Sequence, residues 1–221
     1  MADMTPDALL RTAAELGVVP LFYDPDLPRA HATVTALAAG GATIIEYTLR
    51  GPGAETVLAA LVADAPEGVT IGAGSVNDLA TANRALDAGA AFIVGPNGNR
   101  DIAERCHHAN VAYVPGCLTP SEVVTAGTWG CPLVKVFPVS ALGGPSYVRA
   151  LRGPLPTVRL MATGGVGLDD VDAYLRAGAA CVGLGGDLVK REWLEHDDGR
   201  RLSEATADVL ERARAAREQK G

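Results

Sequence analysis

The chain has 221 residues, 48% of them hydrophobic, with 26 glycines, enough to bury a large core as one compact α/β domain. A formal net charge of -7 excludes a general attraction to nucleic acid or anionic lipid and leaves open a local site for a small anion. There is no apolar stretch of membrane-spanning length, no basic-then-apolar leader and no C-x-x-C pair among the four cysteines, so a reduced, cytoplasmic protein acting on small molecules is expected.

Apolar runs of strand length recur along the chain, each followed by a turn signal and then a helical pattern. In order they are Val18 to Tyr23, Thr43 to Leu49, Val69 to Gly74, Phe92 to Val94, Val111 to Val114, Leu133 to Phe137, Arg159 to Ala162 and Cys181 to Leu184. Helical patterns lie between them, such as Pro28 to Ala39, Ala54 to Ala65, Asp78 to Ala88, Asp101 to Ala109 and Asp169 to Arg176. This alternation predicts parallel strands, and eight such units predict a closed α/β structure, a single-domain (β/α)8 TIM barrel over residues 1–221. Ala39-Gly40-Gly41-Ala42, Ala88-Gly89-Ala90 and Ala177-Gly178-Ala179 each stop a helical pattern before a strand, as a left-handed helix-closing glycine does. A dinucleotide-binding loop is not expected, because the third glycine after Gly72-Ala73-Gly74 is replaced by Asn77. Leu202 to Glu218 reads as a polar-faced helix closing the structure.

Within the second strand, alternation places Glu46, Thr48 and Arg50 on one face, toward the lumen, and Ile45, Tyr47 and Leu49 against the helices. A barrel lumen is ordinarily filled by branched apolar side chains, so a carboxylate and a guanidinium there need either a chemical task or each other as an ion pair. Lys135 stands in the middle of the apolar strand Leu133 to Phe137, where burial disfavours the ammonium form and suits a Schiff-base nucleophile; a snorkelling or charge-neutralising lysine is the alternative. Thr163-Gly164-Gly165 and Gly185-Gly186 follow the last two strands, where barrels commonly bind phosphate through backbone N–H groups. Ser75, after Gly72-Ala73-Gly74, offers a hydroxyl for a ligand or for helix capping, and Pro115-Gly116 reads as a turn. His107 and His108 are adjacent rather than four residues apart, His31 and His196 lie in polar contexts, and no cluster has metal-ligand spacing, so no metal is expected. Cys117 has no basic neighbour to make it a thiolate, and Trp129 and Trp193 read as packing or subunit-contact residues.

Taken in order, Glu46-Tyr47-Thr48-Leu49-Arg50, Gly72-Ala73-Gly74-Ser75-Val76, Pro115-Gly116, Lys135-Val136-Phe137-Pro138, Gly143-Gly144 and Thr163-Gly164-Gly165 resemble the family of aldolases that cleave 2-keto-3-deoxy-6-phosphogluconate (KDPG) or 4-hydroxy-2-oxoglutarate (KHG). The resemblance runs from Val18 to Val189 and implies a class I, pyruvate-dependent lyase, a (β/α)8 barrel, a homotrimer, a small 2-keto acid substrate, and no cofactor, nucleic-acid or membrane partner. It implies that Lys135 forms the Schiff base, that Glu46 is the general acid/base, that Arg50 holds the pyruvyl carboxylate with Ser75, and that Phe137 and Pro96 line the pocket. Thr163, Gly164, Gly165, Gly185 and Gly186 would form its far end, although Ser75 stands for a usual threonine, Ala162 for a usual proline and Gly186 for a usual serine. The alternatives are another phosphate-binding barrel enzyme, of sugar-phosphate epimerase or phosphate-synthase type, and a non-catalytic trimeric barrel.

Overall fold

The computed structural model describes residues 5–196 and 199–218. Among these described residues, nine parallel strands form a nearly closed barrel with helices between them. They are β1 (Val18–Phe22), β2 (Ile44–Thr48), β3 (Thr70–Gly74), β4 (Phe92–Val94), β5 (Ala112–Val114), β6 (Gly116–Cys117), β7 (Val134–Val136), β8 (Leu160–Thr163) and β9 (Cys181–Leu184). The sheet order is β5-β4-β3-β2-β1-β9-β8-β7-β6, so its two ends are joined in sequence by one residue, Pro115. Each expected run matches one of these strands, β8 extending one residue past its run to Thr163, and the remaining strand is short and unexpected. Pro115-Gly116 is not a turn: Gly116 and Cys117 pair in parallel with Lys135 and Val136. Proline has no N–H to give to a ladder and so interrupts the strand, yet the Pro115 carbonyl accepts from Lys135 N–H at 2.9 Å and keeps the chain extended.

The helices are α1 (Pro6–Leu16), α2 (Leu27–Ala39), α3 (Ala54–Ala63), α4 (Leu79–Asp87), α5 (Arg100–His108), α6 (Pro120–Gly127), α7 (Pro145–Arg152), α8 (Val171–Ala177), α9 (Arg191–His196) and α10 (Arg200–Glu218). The three helix-stopping glycines Gly41, Gly89 and Gly178 all have positive φ (96°, 86° and 111°), as the sequence pattern requires. Helix α1 follows no strand and was not anticipated. Its signals are local: Thr5 accepts from Ala8 N–H at 3.2 Å as N-cap, Pro6 opens the first turn, and Gly17 closes the last.

Two apolar cores result from strand alternation. The larger lies between strands and helices and includes Ile45, Tyr47, Val134, Val136 and Ala162. The smaller lies inside the barrel and is made by Val19, Ile44, Phe92, Val94, Ala112, Val114, Leu133, Met161 and Cys181, with Leu9 and Ala13 of α1 packed beneath. Helix α1 is thus the floor of the barrel. From the C-terminal helix α10, Arg217 donates to the carbonyls of Glu15 and Ala180 at 2.7 Å each, fastening that floor. No helix among the described residues is long and apolar enough to cross a membrane.

Candidate active site

Above the apolar layer the lumen turns polar. Glu46 of β2, Lys135 of β7 and Thr163 of β8 are all buried, at 1%, 5% and 5% exposure, and point inward by the same alternation that placed Ile44, Leu133 and Met161 below them. From β2 to β7 there are four strand-to-strand steps through β1, β9 and β8, so the carboxylate and the amine rise on opposite walls. Glycines make the room between them. A Cβ on Gly74 would collide with Oε1 of Glu46, and one on Gly183 would press on the Thr163 hydroxyl, so both side chains occupy space that neighbouring strands leave vacant.

The electrostatics are those of a dry pocket. Burial lifts the Glu46 carboxyl above the ordinary carboxylate range, while the charges of Lys135 and Arg50 pull it back in part. Glu46 Oε2 and Thr163 Oγ1 are buried without a hydrogen-bond partner among the described residues. Desolvating such groups without partners costs about 1 to 3 kcal/mol each, which is retained where a ligand supplies the missing partner. Lys135 Nζ lies 5.0 Å from the centroid of the Phe137 ring, two residues farther along the same face. No ion pair joins Glu46 to Lys135 or to Arg50, so the purely structural pairing considered for them is not made.

Arg50 and Ser75 meet at the mouth, where Arg50 Nε approaches Ser75 Oγ at 3.4 Å. Ser75 is not a helix cap. Asp78 caps α4 by accepting from Thr81 N–H at 2.7 Å, leaving Ser75 beside Arg50 in the left-handed conformation, φ 61°. Pro96 is half-buried, with its backbone against Gly116, next to the β7 strand that carries Lys135. Gly164, Gly165, Gly185 and Gly186 stand at the C-terminal ends of β8 and β9 on the same rim, and the space where a Gly186 side chain would sit is empty. A cleft of ≈ 440 Å³ opens there, lined by Phe22, Tyr23, Arg50, Gly185, Gly186 and Arg191. A larger one, ≈ 1010 Å³, lies at the other end of the barrel around Val69, Thr70, Ala91 and Val111, and neither cleft is lined by Glu46 or Lys135, although the smaller one includes Arg50. Cleft size therefore does not locate the chemistry.

The lower-ranked residues stay out of the site. Burial pushes the Cys117 thiol up to about 12, away from thiolate chemistry. His107 and His108 are exposed on α5, and His31 faces Asp64 at 3.6 Å. The side chain of His196 lies outside the described residues. No group of three or more His, Cys, Asp or Glu side chains suited to a metal occurs among the described residues.

A lysine and a carboxylate at the C-terminal end of a parallel α/β barrel, with an arginine and two glycine turns at the rim, define the class of lumen-lysine barrel enzymes. The family model for KDPG and KHG aldolase matches residues 9–205, and the chain belongs to that family. It is 34% identical over 208 residues to the 2-dehydro-3-deoxy-phosphogluconate aldolase of Pseudomonas aeruginosa, covering 93% of this chain and 92% of the relative. It is 30% identical over 198 residues to the KHG/KDPG aldolase of Escherichia coli K12, covering 89% and 92%. Among solved structures, a KDPG aldolase from Legionella pneumophila, with pyruvate captured at low pH as a covalent carbinolamine intermediate, superposes with a TM-score of 0.84. That protein is 30% identical, with 92% of this chain and 97% of the other covered.

Proposed function

We propose that the protein is a class I aldolase that reversibly cleaves KDPG to pyruvate and glyceraldehyde 3-phosphate, with 4-hydroxy-2-oxoglutarate, giving pyruvate and glyoxylate, as a second substrate. The observation that carries this reading is the polar layer of the lumen. An amine and a carboxylate are buried there on facing walls, unpaired with each other, with the carboxyl lifted above its ordinary range by burial. The family relatives bear the same activity in their names.

The Lys135 amine attacks the C2 carbonyl of the keto acid, and loss of water leaves an iminium. Glu46 removes the C4 hydroxyl proton through a water, the C3–C4 bond breaks, and its electrons move into the C2–C3 enamine as the iminium nitrogen is neutralised. The aldehyde departs. Glu46 returns a proton to C3 through water, and hydrolysis of the regenerated iminium frees pyruvate and the lysine. Arg50 and Ser75 hold the pyruvyl carboxylate, Phe137 and Pro96 line the pyruvyl pocket, and Thr163, Gly164, Gly165, Gly185 and Gly186 surround the distal end. The protonated imine is the electron sink, so the reaction calls for no cofactor.

Counting β5 and β6 as one stave broken at Pro115 makes the structure a (β/α)8 barrel, and we assign residues 1–221 to that one domain, in a cytoplasmic homotrimer. Incubation with pyruvate and borohydride is the test. One pyruvyl adduct mapped to Lys135 is expected; no adduct, or one at another lysine, would sink the mechanism and favour the epimerase-type or non-catalytic alternatives.

A further inference from the structure

The 3-10 turn Val139–Leu142, which follows β7, brings a side chain to the distal end of the site that the sequence reading passed over. Ser140 N–H donates to the Gly164 carbonyl at 3.1 Å, tying this turn to the one after β8. A methyl group on Gly165 would overlap the Ser140 hydroxyl oxygen, so that hydroxyl rests directly against the glycine turn. Ser140 is exposed, and its hydroxyl makes no hydrogen bond among the described residues. Beside it, Gly164 and Gly165 have positive φ of 93° and 72°, and the Gly165 N–H donates to no acceptor among the described residues.

The far side of the same turn is closed to an anion. Gly167 N–H is already given to Asp170 Oδ2 at 3.2 Å, and a Cβ on Gly167 would lie 3.1 Å from Oδ2 of Asp187. Two carboxylates thus border the turn at Gly167, whereas the Gly165 side offers an idle N–H and an idle hydroxyl. Like charges at close range repel, and a hydroxyl rotates freely to donate to whichever anionic oxygen approaches.

We propose that Ser140 is a specificity-determining residue, whose hydroxyl donates to the phosphate monoester at the distal end of the substrate and places it over Gly165, away from Asp170 and Asp187. This rests on the aldolase reading and adds to it a donor from the β7–α7 turn. It also gives the open position at Gly186 a physical counterpart, since the hydroxyl missing from one turn is supplied by another.

The experiment compares kcat/KM for KDPG and for its unphosphorylated form in wild type, Ser140→Ala and Ser140→Thr. Wild type is expected to prefer the phosphorylated substrate, Ser140→Ala to lose roughly tenfold of that preference, the scale of one hydrogen bond to a charged group, and Ser140→Thr to keep most of it. A Ser140→Ala ratio within about twofold of wild type overturns the proposal, as does an equal loss in both variants, which would mark packing rather than the hydroxyl, or a wild-type ratio at or below one. Borohydride trapping of pyruvate on the wild-type protein separates the two levels. An adduct with an unchanged ratio removes only the role of Ser140, whereas the absence of any adduct removes the aldolase reading itself.

Discussion

The lower and upper halves of the barrel lumen are built by the same strands, on the same faces, two residues apart. Ile44 is followed inward by Glu46, Leu133 by Lys135, Met161 by Thr163 and Cys181 by Gly183. Ile44 and Glu46 are equally sealed from solvent, at 0% and 1% exposure, yet one contributes apolar burial and the other a carboxyl that the same burial lifts above its ordinary range. One pleat of a parallel strand, about 7 Å, therefore separates the apolar layer that holds the fold from the polar layer to which the chemistry is assigned. The lesson is that burial does not distinguish the two. What distinguishes them is the side chain itself, apolar in the lower layer and a carboxyl, an amine and a hydroxyl in the upper one.

The largest change is expected from the upper layer. Glu46→Gln keeps the shape and removes the titrating group, so pyruvate methyl proton exchange, followed by NMR in deuterated water, should slow by roughly 10² to 10⁴-fold. Stability should move the other way. Burial raises the folded-state titration of Glu46 above that of the unfolded chain, so the stability tied to its protonated form is full at acid pH and is lost as pH rises through the folded-state value. The glutamine escapes that loss. The melting temperature of the variant relative to wild type should therefore grow from pH 4 toward pH 8, and a flat difference across that range would contradict the raised carboxyl.

Gly74→Ala tests the role of vacancy. The added methyl cannot coexist with the present position of Glu46 Oε1, so the carboxylate must swing away. A displacement near 1 Å is expected to lower kcat on the order of 10²-fold, with a stability cost of about 1 to 3 kcal/mol for overpacking. Steady-state kinetics beside thermal melts would separate the two. Arg50→Lys acts at the rim: a single ammonium cannot reproduce the two-pronged grip on a carboxylate, so KM should rise by about tenfold for every 2-keto acid while kcat moves less. KM values unchanged from wild type across the substrate series would place Arg50 outside the site.

The smallest effect on turnover is expected below. Leu9→Ala in the floor helix should cost about 2 to 5 kcal/mol in denaturant unfolding and leave kcat at low temperature within about threefold of wild type. If turnover collapsed in step with stability, the separation of the two layers would fail.

The strands were legible because each is an apolar run ended by a turn signal, and the inward face of β2 followed from alternation alone, which puts Glu46 and Arg50 on one side. Lys135 stood out as the one charge in its apolar strand. What could not be read was whatever depends on a neighbour far away in sequence. Gly74 and Gly183 are ordinary strand glycines until Glu46 and Thr163 are seen leaning over them. Ser140 reads as a polar turn residue, and only the contact between the β7–α7 and β8–α8 turns brings it to the site. Pro115-Gly116 carried a strong turn signal that the ladder to β7 overrode. Helix α1 did carry its own cap and stop signals, in Thr5, Pro6 and Gly17, and was missed because it precedes the alternating pattern rather than belonging to it.

Helix α1 has a further consequence for traffic. With Leu9 and Ala13 seated under the apolar layer and Arg217 fastening the helix from outside, α1 covers the lower end of the lumen among the described residues. Lys135 lies deeper in the lumen and the glycine turns lie at its rim, so on the proposed reaction the two halves of a cleaved substrate leave on the rim side. Under that reading the half held near the rim leaves first, and the half bound to the lysine follows only when the passage above it has cleared. A covered bottom thus turns the proposed reaction into an ordered queue, with the keto acid first in and last out.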